Sequence, residues 1–235
     1  MSEASRQGRL IAVCGIDGSG KNTQTERLAQ RTEQAGRTVH IVSFPRYGTS
    51  FFGELIERYL RGEFAGRASD VDPYMAALPY ACDRWEASAQ LRTWLEDGCL
   101  VLCNRYVPAN QAHQGCKLPA GEDRTRFLNW INELEYRVFA LPRPDMHVLL
   151  DVPPAVAVRL LKARDAERGL PEGHDIHESD AQYLEATAGV YRQLAAADPS
   201  GWRVVGCTRD GAMLPQETIS QLVWDHVQPV LYTEV

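Results

Sequence analysis

A chain of 235 residues is long enough to bury the core of one complete domain. Hydrophobic residues make up 44% of the chain and charged residues 24%, a composition that is typical of globular proteins and excludes wholesale disorder. The net charge of −6 argues against an extended nucleic-acid surface, and no apolar run is long enough to span a membrane. We therefore expect one domain over residues 1–235, located in the cytoplasm, with neither nucleic acid nor membrane among its partners.

Five short apolar runs alternate with longer segments that are compatible with helices. They cover residues 10–14, 38–42, 100–103, 146–150 and 202–205. This alternation predicts an α/β protein with a central parallel sheet of about five strands, covered by helices on both faces. Ligands of such sheets bind at the carboxyl ends of the strands, so the residues that follow each run are the candidates for chemistry.

The first run leads directly into a glycine-rich segment, residues 15–24, with the sequence Gly-Ile-Asp-Gly-Ser-Gly-Lys-Asn-Thr-Gln. It fits the phosphate-loop pattern G-x-x-x-x-G-K-[ST] except at the last position, where Asn22 replaces a hydroxyl residue. Backbone N–H groups, the start of a helix and the charge of Lys21 would converge there on an anion. The segment predicts a nucleotide-phosphate site, with a purely structural turn as the alternative. Its candidate contacts are Gly15, Gly18, Ser19, Gly20, Lys21, Asn22 and Thr23.

Polar residues follow the next two runs as well. The second run leads into Phe44-Pro45-Arg46, where Arg46 could face an anion. A long helical stretch over residues 73–96 places Tyr80 and Arg84 on one face, because they are four residues apart. The third run ends in Asn104-Arg105-Tyr106, followed by further polar side chains. Those candidates are Asn110, His113 and Gln114.

The last two runs lead to a candidate lid and a candidate edge of the site. After the fourth run a helix is expected to continue to about residue 165 and to merge into a polar, glycine-punctuated segment. We interpret residues 162–178 as a closing lid, with a solvated surface loop as the alternative. The fifth run leads into a loop with Cys207 that could edge a nucleotide base. This cysteine and the other five are scattered and are expected to be reduced.

Taken together, these segments resemble the thymidylate (dTMP) kinase family of P-loop nucleoside monophosphate kinases, over residues 9 to about 227. The resemblance rests on five marks in order: the phosphate loop at 15–24, Phe44-Pro45-Arg46, Asp83-Arg84-Trp85-Glu86, Asn104-Arg105-Tyr106 and the segment 168–178. It implies a P-loop three-layer fold with a five-stranded parallel sheet and a homodimer. It also implies ATP as phosphoryl donor, dTMP as acceptor and Mg²⁺ as cofactor.

The resemblance also implies roles for single residues. It assigns the ATP phosphates to Lys21, and the acceptor sugar hydroxyl or the metal environment to Asp17. Tyr80 would stack on the pyrimidine, Arg84 would read the base edge, and Arg105 would bind the acceptor phosphate. The further candidates for acceptor binding are Phe44, Arg46, Asn110, His113, Gln114 and His177.

Three departures from the family pattern affect these assignments. Arg46 comes one place earlier than the family arginine, whose position is taken by Tyr47. Gly18 stands where some members carry a catalytic arginine, so Arg164 and Arg168 are the candidates for neutralising charge on the transferred phosphoryl group. The histidines at 113 and 177 stand where tyrosines are common, near the acceptor sugar.

Three functions remain open on the sequence. The first is transfer of the γ-phosphoryl group of ATP to dTMP. The second is phosphorylation of another deoxynucleotide or of a deoxynucleoside. The third is a nucleotide-binding regulator without turnover, because Asn22 and Asn104 replace residues that the family uses around the metal. Asn22 and Asp17 are the candidate metal ligands.

Overall fold

The computed structural model describes residues 8–64, 71–168 and 181–232. Its centre is a parallel sheet of five strands. The strands are β1 (Arg9–Cys14), β2 (Val39–Ser43), β3 (Leu100–Asn104), β4 (Met146–Asp151) and β5 (Trp202–Gly206). They lie in the order β2-β3-β1-β4-β5. Each one coincides with a predicted apolar run to within one residue at either end. The α/β fold class is thereby confirmed.

Helices cover this sheet and connect its strands. They are α1 (Lys21–Gln34), α2 (Phe51–Leu60), α3 (Pro73–Glu96), α4 (Val107–Gly115), α5 (Glu122–Asn132), α6 (Pro154–Arg168), α7 (Ala181–Ala197) and α8 (Gln216–Tyr232). The chain leaves α5 through a π-helical segment, Glu133–Val138. A small hairpin of β6 (Thr208–Arg209) and β7 (Ala212–Met213) follows the sheet. Within the described ranges, no helix is long and apolar enough to cross a membrane.

The central strands are apolar along nearly their whole length because both of their faces are covered. Five of the six residues of β1 and all five residues of β3 are buried. Parallel pairing places Val13 beside Asn104, and the amide of Arg105 donates to the carbonyl of Val13 at 2.9 Å. The register therefore brings the exit of β3 next to the phosphate loop that follows β1.

The predicted helix over residues 73–96 coincides with α3. Pro73 occupies its first turn, and the side chain of Asp72 caps it by accepting from the amides of Tyr74 and Met75. Helix α6 continues to Arg168, slightly beyond the expected end. The rest of the proposed lid, including His177, lies outside the described residues, as does the side chain of Arg168.

Candidate active site

A cleft of about 810 Å³ opens at the carboxyl ends of the strands. It brings together most of the residues that the sequence singled out. Those that line it are Asp17, Gly18, Ser19, Gly20, Lys21, Asn22, Thr23, Phe44, Tyr80, Arg84, Arg105, Asn110, His113, Gln114 and Arg164. Gly15, Arg46 and Cys207 are not among the lining residues.

The phosphate loop is built as its sequence predicts. Gly20 adopts a left-handed conformation with φ of 85°, and α1 begins at the next residue, Lys21. No side chain of the described residues caps this helix, and its first turn holds no acidic residue. Its first N–H groups and the positive end of its dipole are therefore available to an anion in the cleft.

Gly18 is held against helix α6, which fixes the shape of the loop. Its φ is +78°, and a Cβ at this position would lie only 2.7 Å from the carbonyl oxygen of Ala157. Some members of the family that the sequence resembles carry an arginine at this position, but its side chain would not fit between the loop and α6. Arg164 of α6 is a cation that lines the cleft. Its Nη2 lies 2.7 Å from the carboxylate of Asp165.

Asp17 joins two cations at the floor of the cleft. Its Oδ1 accepts from Nη2 of Arg105 and lies 3.7 Å from Nζ of Lys21. Burial opposes ionisation of Asp17, but Arg105 and Lys21 outweigh it and hold the pKa of this carboxyl well below its usual range. Burial likewise acts to lower the pKa of Arg105, yet Asp17 raises it above its ordinary value. The cluster therefore stays fully charged and is net positive, as an anion site requires.

His113 contacts the other side of the Arg105 guanidinium. Its Nε2 lies 3.1 Å from Nη1 of Arg105, and a guanidinium only donates, so Nε2 must accept. Its Nδ1 lies 3.1 Å from the hydroxyl of Tyr183, which itself donates to the backbone carbonyl of His113 at 2.9 Å. The network is satisfied by a neutral imidazole with its proton on Nδ1. Arg105 is thus held between a carboxylate and an imidazole.

A second pocket of the cleft contains Tyr80, Arg84, Asn110 and Gln114. Arg84 is only 2% exposed, and its Nε and Nη2 donate to the two carboxylate oxygens of Glu135 at 2.5 and 2.7 Å. This leaves Nη1 as the donor group of Arg84 without a partner in the described chain. The side-chain oxygens of Asn110 and Gln114 are also buried there without a described partner. Buried polar atoms of this kind are expected to bind a polar ligand.

Sequence reasoning missed Glu135, which anchors this pocket. The residue is completely buried in the π-helical segment and belongs to no motif. One signal was present: Phe127, Ile131 and Glu135 are spaced four apart, so the carboxylate continues the apolar face of α5. A charged residue at a core-facing position needs a buried partner.

Arg46 does not face the cleft, which corrects the prediction that it binds the acceptor. Its Nε donates to Oδ1 of Asp83 at 3.0 Å, its backbone amide donates to Oδ2 at 2.9 Å, and its Nη2 lies 3.2 Å from Glu86. Two carboxylates on α3 therefore direct this arginine away from the cleft. Tyr47, the next residue, lines the cleft instead.

Cys207 is also corrected as an ATP contact. It is completely buried, and burial raises the pKa of its thiol to about 12. The cleft is edged instead by residues at and after the β6–β7 hairpin, and the amide of Leu214 donates to the carbonyl of Cys207 at 2.9 Å. These lining residues are Met213, Leu214, Gln216 and Ile219.

Two asparagines occupy the place where the family pattern has a hydroxyl and an acid. Nδ2 of Asn104 donates to Oδ1 of Asn22 at 2.5 Å, and Oδ1 of Asn104 is buried without a partner among the described residues. Among the described residues, no cluster of three or more His, Cys, Asp or Glu side chains could hold a metal ion. The amide oxygens nevertheless fit Mg²⁺, which prefers oxygen ligands and keeps several waters.

Comparison with known proteins identifies relatives over most of the chain. A family model described as thymidylate kinase matches residues 13–209. The thymidylate kinase of Mycobacterium tuberculosis is 35% identical over 209 residues, which cover 87% of this chain and 94% of that one. The thymidylate kinase of Solidesulfovibrio magneticus is 32% identical and covers 94% of this chain and 100% of its own length.

A solved structure, the thymidylate kinase of Candida albicans, resembles the fold. Its TM-score is 0.71 with 21% sequence identity, and the alignment covers 95% of this chain and 92% of that chain. At this identity the likeness supports the architecture, and the closer sequences support the family.

The contact between Gly18 and α6 can be tested with a matched pair of substitutions. Gly18→Ala and Gly20→Ala both force an L-residue into a left-handed conformation, which costs roughly 1–2 kcal/mol. At Gly20 a Cβ would meet nothing within 4 Å, whereas at Gly18 it would strike Ala157. We therefore expect urea denaturation of the nucleotide-free protein to show a clearly larger loss of unfolding free energy for Gly18→Ala. Equal losses in the two variants would contradict the packing of the loop against α6.

Proposed function

The chain belongs to the thymidylate kinase family and transfers the γ-phosphoryl group of ATP to dTMP, and we propose that Lys21, Asp17 and Arg105 form the centre of its active site. The observation that carries this assignment is one cleft that holds both a phosphate loop and a polar pocket. The net-positive cluster of these three residues lies in the same cleft. Donor and acceptor phosphates would meet there.

We assign the donor side to the phosphate loop. The amides at the start of α1 and Nζ of Lys21 bind the phosphates of ATP. The apolar side chains of Met213, Leu214 and Ile219 line the cleft and offer a surface for the adenine.

We assign Arg105 and Arg164 to the acceptor phosphate and to the transferred phosphoryl group. Arg105 binds the acceptor phosphate, and its guanidinium is oriented by contacts with Asp17 and His113. Arg164 on α6 neutralises the charge that spreads over the transferred group, and Arg168 remains a second candidate for that role. An acceptor phosphate is already anionic and needs no strong general base. Positioning and charge neutralisation therefore carry the catalysis.

The state of Asp17 favours a phosphorylated acceptor over a nucleoside. The hydroxyl of a nucleoside is neutral and calls for a carboxylate that can accept a proton. Asp17 and Glu167 are the acidic side chains that line the cleft. Asp17 is the one that contacts Lys21 and Arg105, and these two cations hold its pKa well below the usual range. A carboxylate in this state is a weak base.

We assign the acceptor base to the second pocket. Tyr80 provides an aromatic face for stacking and is itself supported by Tyr59, whose ring meets it edge to face with centroids 6.5 Å apart. Nη1 of Arg84 offers a donor and Oδ1 of Asn110 an acceptor. This pair is complementary to O4 and N3–H of thymine.

Magnesium is the proposed cofactor, bound mainly by ATP. Oδ1 of Asn22, Oδ1 of Asn104 and the carboxylate of Asp17 are the oxygen atoms of this chain that would hold it, directly or through water. When bound, Mg²⁺ neutralises charge on the β- and γ-phosphates. The two amides are neutral, so the protein adds little charge of its own to the binding of the metal.

We also propose a homodimer. The exposed ring of Trp85 on α3 lies 5.9 Å from that of Phe139, and Val138 beside it is 57% exposed. Phe51 at the start of the adjacent helix α2 is 75% exposed. Exposed apolar groups of this size are typical of a protein contact. A cytoplasmic location stays a prediction.

A coupled assay with ATP and a panel of acceptors tests the function. We expect turnover with dTMP above that with dCMP, dGMP or thymidine, and a loss of roughly a hundredfold or more in kcat for Lys21→Ala. Arg126→Ala, which removes an exposed cation of α5, is the control and should match the wild type. If the wild type binds ATP but transfers nothing to any monophosphate, the protein is a regulator.

The asparagine pair predicts how the protein depends on magnesium. Asn22→Thr restores the hydroxyl of the phosphate-loop pattern, so binding of a non-hydrolysable ATP analogue should reach half-saturation at lower free Mg²⁺. Turnover at saturating Mg²⁺ should stay similar. Calorimetric titration measures the binding, and Asn129→Thr on the exposed face of α5 is the control. An unchanged or higher magnesium requirement for Asn22→Thr would contradict the proposed role of the amide.

The proposed dimer surface can be tested by introducing a charge. Trp85→Glu should reduce the sedimentation-equilibrium mass from that of two chains to that of one, because a carboxylate is costly to bury without a partner. Leu222→Glu on α8 introduces the same charge at another exposed apolar position and should leave the mass unchanged. A wild type that sediments as one chain would refute the proposal.

A further inference from the structure

Glu135 is a buried carboxylate that the reaction itself does not use. It is 0% exposed, and its two oxygens accept from Nε and Nη2 of Arg84 and from Nδ2 of Asn110. A buried ion pair of this kind seldom stabilises a fold more than apolar side chains of the same size would. Stability alone therefore does not explain why a carboxylate is buried here. Glu135 lies in a π-helical segment, and such segments are frequent at functional sites.

The three hydrogen bonds to Glu135 decide which atoms of its partners remain for a ligand. Two donor groups of Arg84 are used, so Nη1 is left for the cleft. Both hydrogens of the Asn110 amide are used as well, one by Glu135 at 3.0 Å and one by the carbonyl of Ala77 at 3.1 Å. Oδ1 of Asn110 is left as a buried acceptor without a described partner.

The orientation of the Asn110 amide follows from this chemistry. A flipped amide would place Oδ1 against the carboxylate of Glu135 and the carbonyl of Ala77, where three acceptors would meet without a proton between them. Glu135 and the carbonyl of Ala77 therefore oppose the flipped state together. A neutral side chain at position 135 would remove the contribution of the carboxylate.

We propose that Glu135 is a positioning residue that sets the polarity of the base pocket, by orienting Arg84 as a donor and Asn110 as an acceptor. This inference rests on the proposed function and on the assignment of the base to this pocket. Thymine and uracil present an acceptor at O4 next to a donor at N3–H, which matches the pair. Cytosine presents a donor at N4 next to an acceptor at N3, which opposes it at both positions.

Glu135→Gln tests the proposal with almost no change of volume. Glutamine has one acceptor oxygen for three donors, and its own NH₂ group can donate to a flipped Asn110 amide, which suits N3 of cytosine. The carbonyl of Ala77 is then the acceptor that still opposes the flip. We expect the ratio of kcat/KM for dTMP to that for dCMP to fall roughly tenfold to a hundredfold, since sites built on hydrogen bonds lose selectivity when a partner is lost. The KM for ATP should stay within about twofold, because the change lies on the acceptor side.

The control is Glu133→Gln, in the same π-helical segment. Glu133 is half exposed and pairs with Arg137, so its loss should leave the ratio unchanged. Circular dichroism and urea denaturation check that both variants fold. If Glu135→Gln does not fold, Glu135→Asp decides: it keeps the charge beside Arg84 but shortens the reach to Asn110, and the ratio should fall partway.

Each outcome has a distinct reading. An unchanged ratio in a folded Glu135 variant overturns the proposal, and so does an equal loss for both nucleotides, which would indicate a structural role alone. A wild type that phosphorylates no pyrimidine monophosphate would instead overturn the proposed function.

Discussion

The position of Asp17 between Lys21 and Arg105 is the contact on which the site depends. Two cations this close would repel each other in a partly dry cleft, and the carboxylate holds them together. One cation comes from the start of α1 and the other from the exit of β3. Their meeting is made possible by the sheet, since the amide of Arg105 is bonded to the carbonyl of Val13 in β1. The backbone hydrogen bonds between β1 and the end of β3 thus determine where Lys21 and Arg105 lie relative to each other.

The local charge of the cleft differs from that of the whole molecule. The chain carries a net charge of −6, yet Lys21, Arg105 and Arg164 line one cleft, and the two substrates of the family are both anionic. A surplus of negative charge elsewhere on the surface limits non-specific binding of polyanions. Anions are attracted where the cations of the cleft are gathered, which suits a kinase whose substrates are small.

The parts of the structure that follow from local patterns were the ones that the sequence predicted. All five strands, helix α3 and the phosphate loop depend on apolar runs, spacing and glycine, which are visible in the chain. Arg46 and Cys207 were misjudged because their surroundings come from distant segments: Asp83 and Glu86 on α3 in one case, Leu214 after the hairpin in the other. Glu135 was missed for the same reason, since its partners are 25 and 51 residues away. Sequence reasoning finds motifs well, and it fails where a side chain is directed by a partner outside its own element.

The backbone of Arg105 carries the local cost of the contact with Asp17. Its φ of 65° is left-handed, a conformation that glycine or asparagine adopts far more readily than arginine does. Holding a residue in such a conformation costs of order 1–3 kcal/mol, and surrounding structure must over-determine it. The conformation turns the chain sharply at the end of β3, so that the guanidinium reaches back to Asp17 rather than following the strand outward. Selection for maximal thermal stability and selection for the contact with Asp17 would therefore favour different amino acids at this one position.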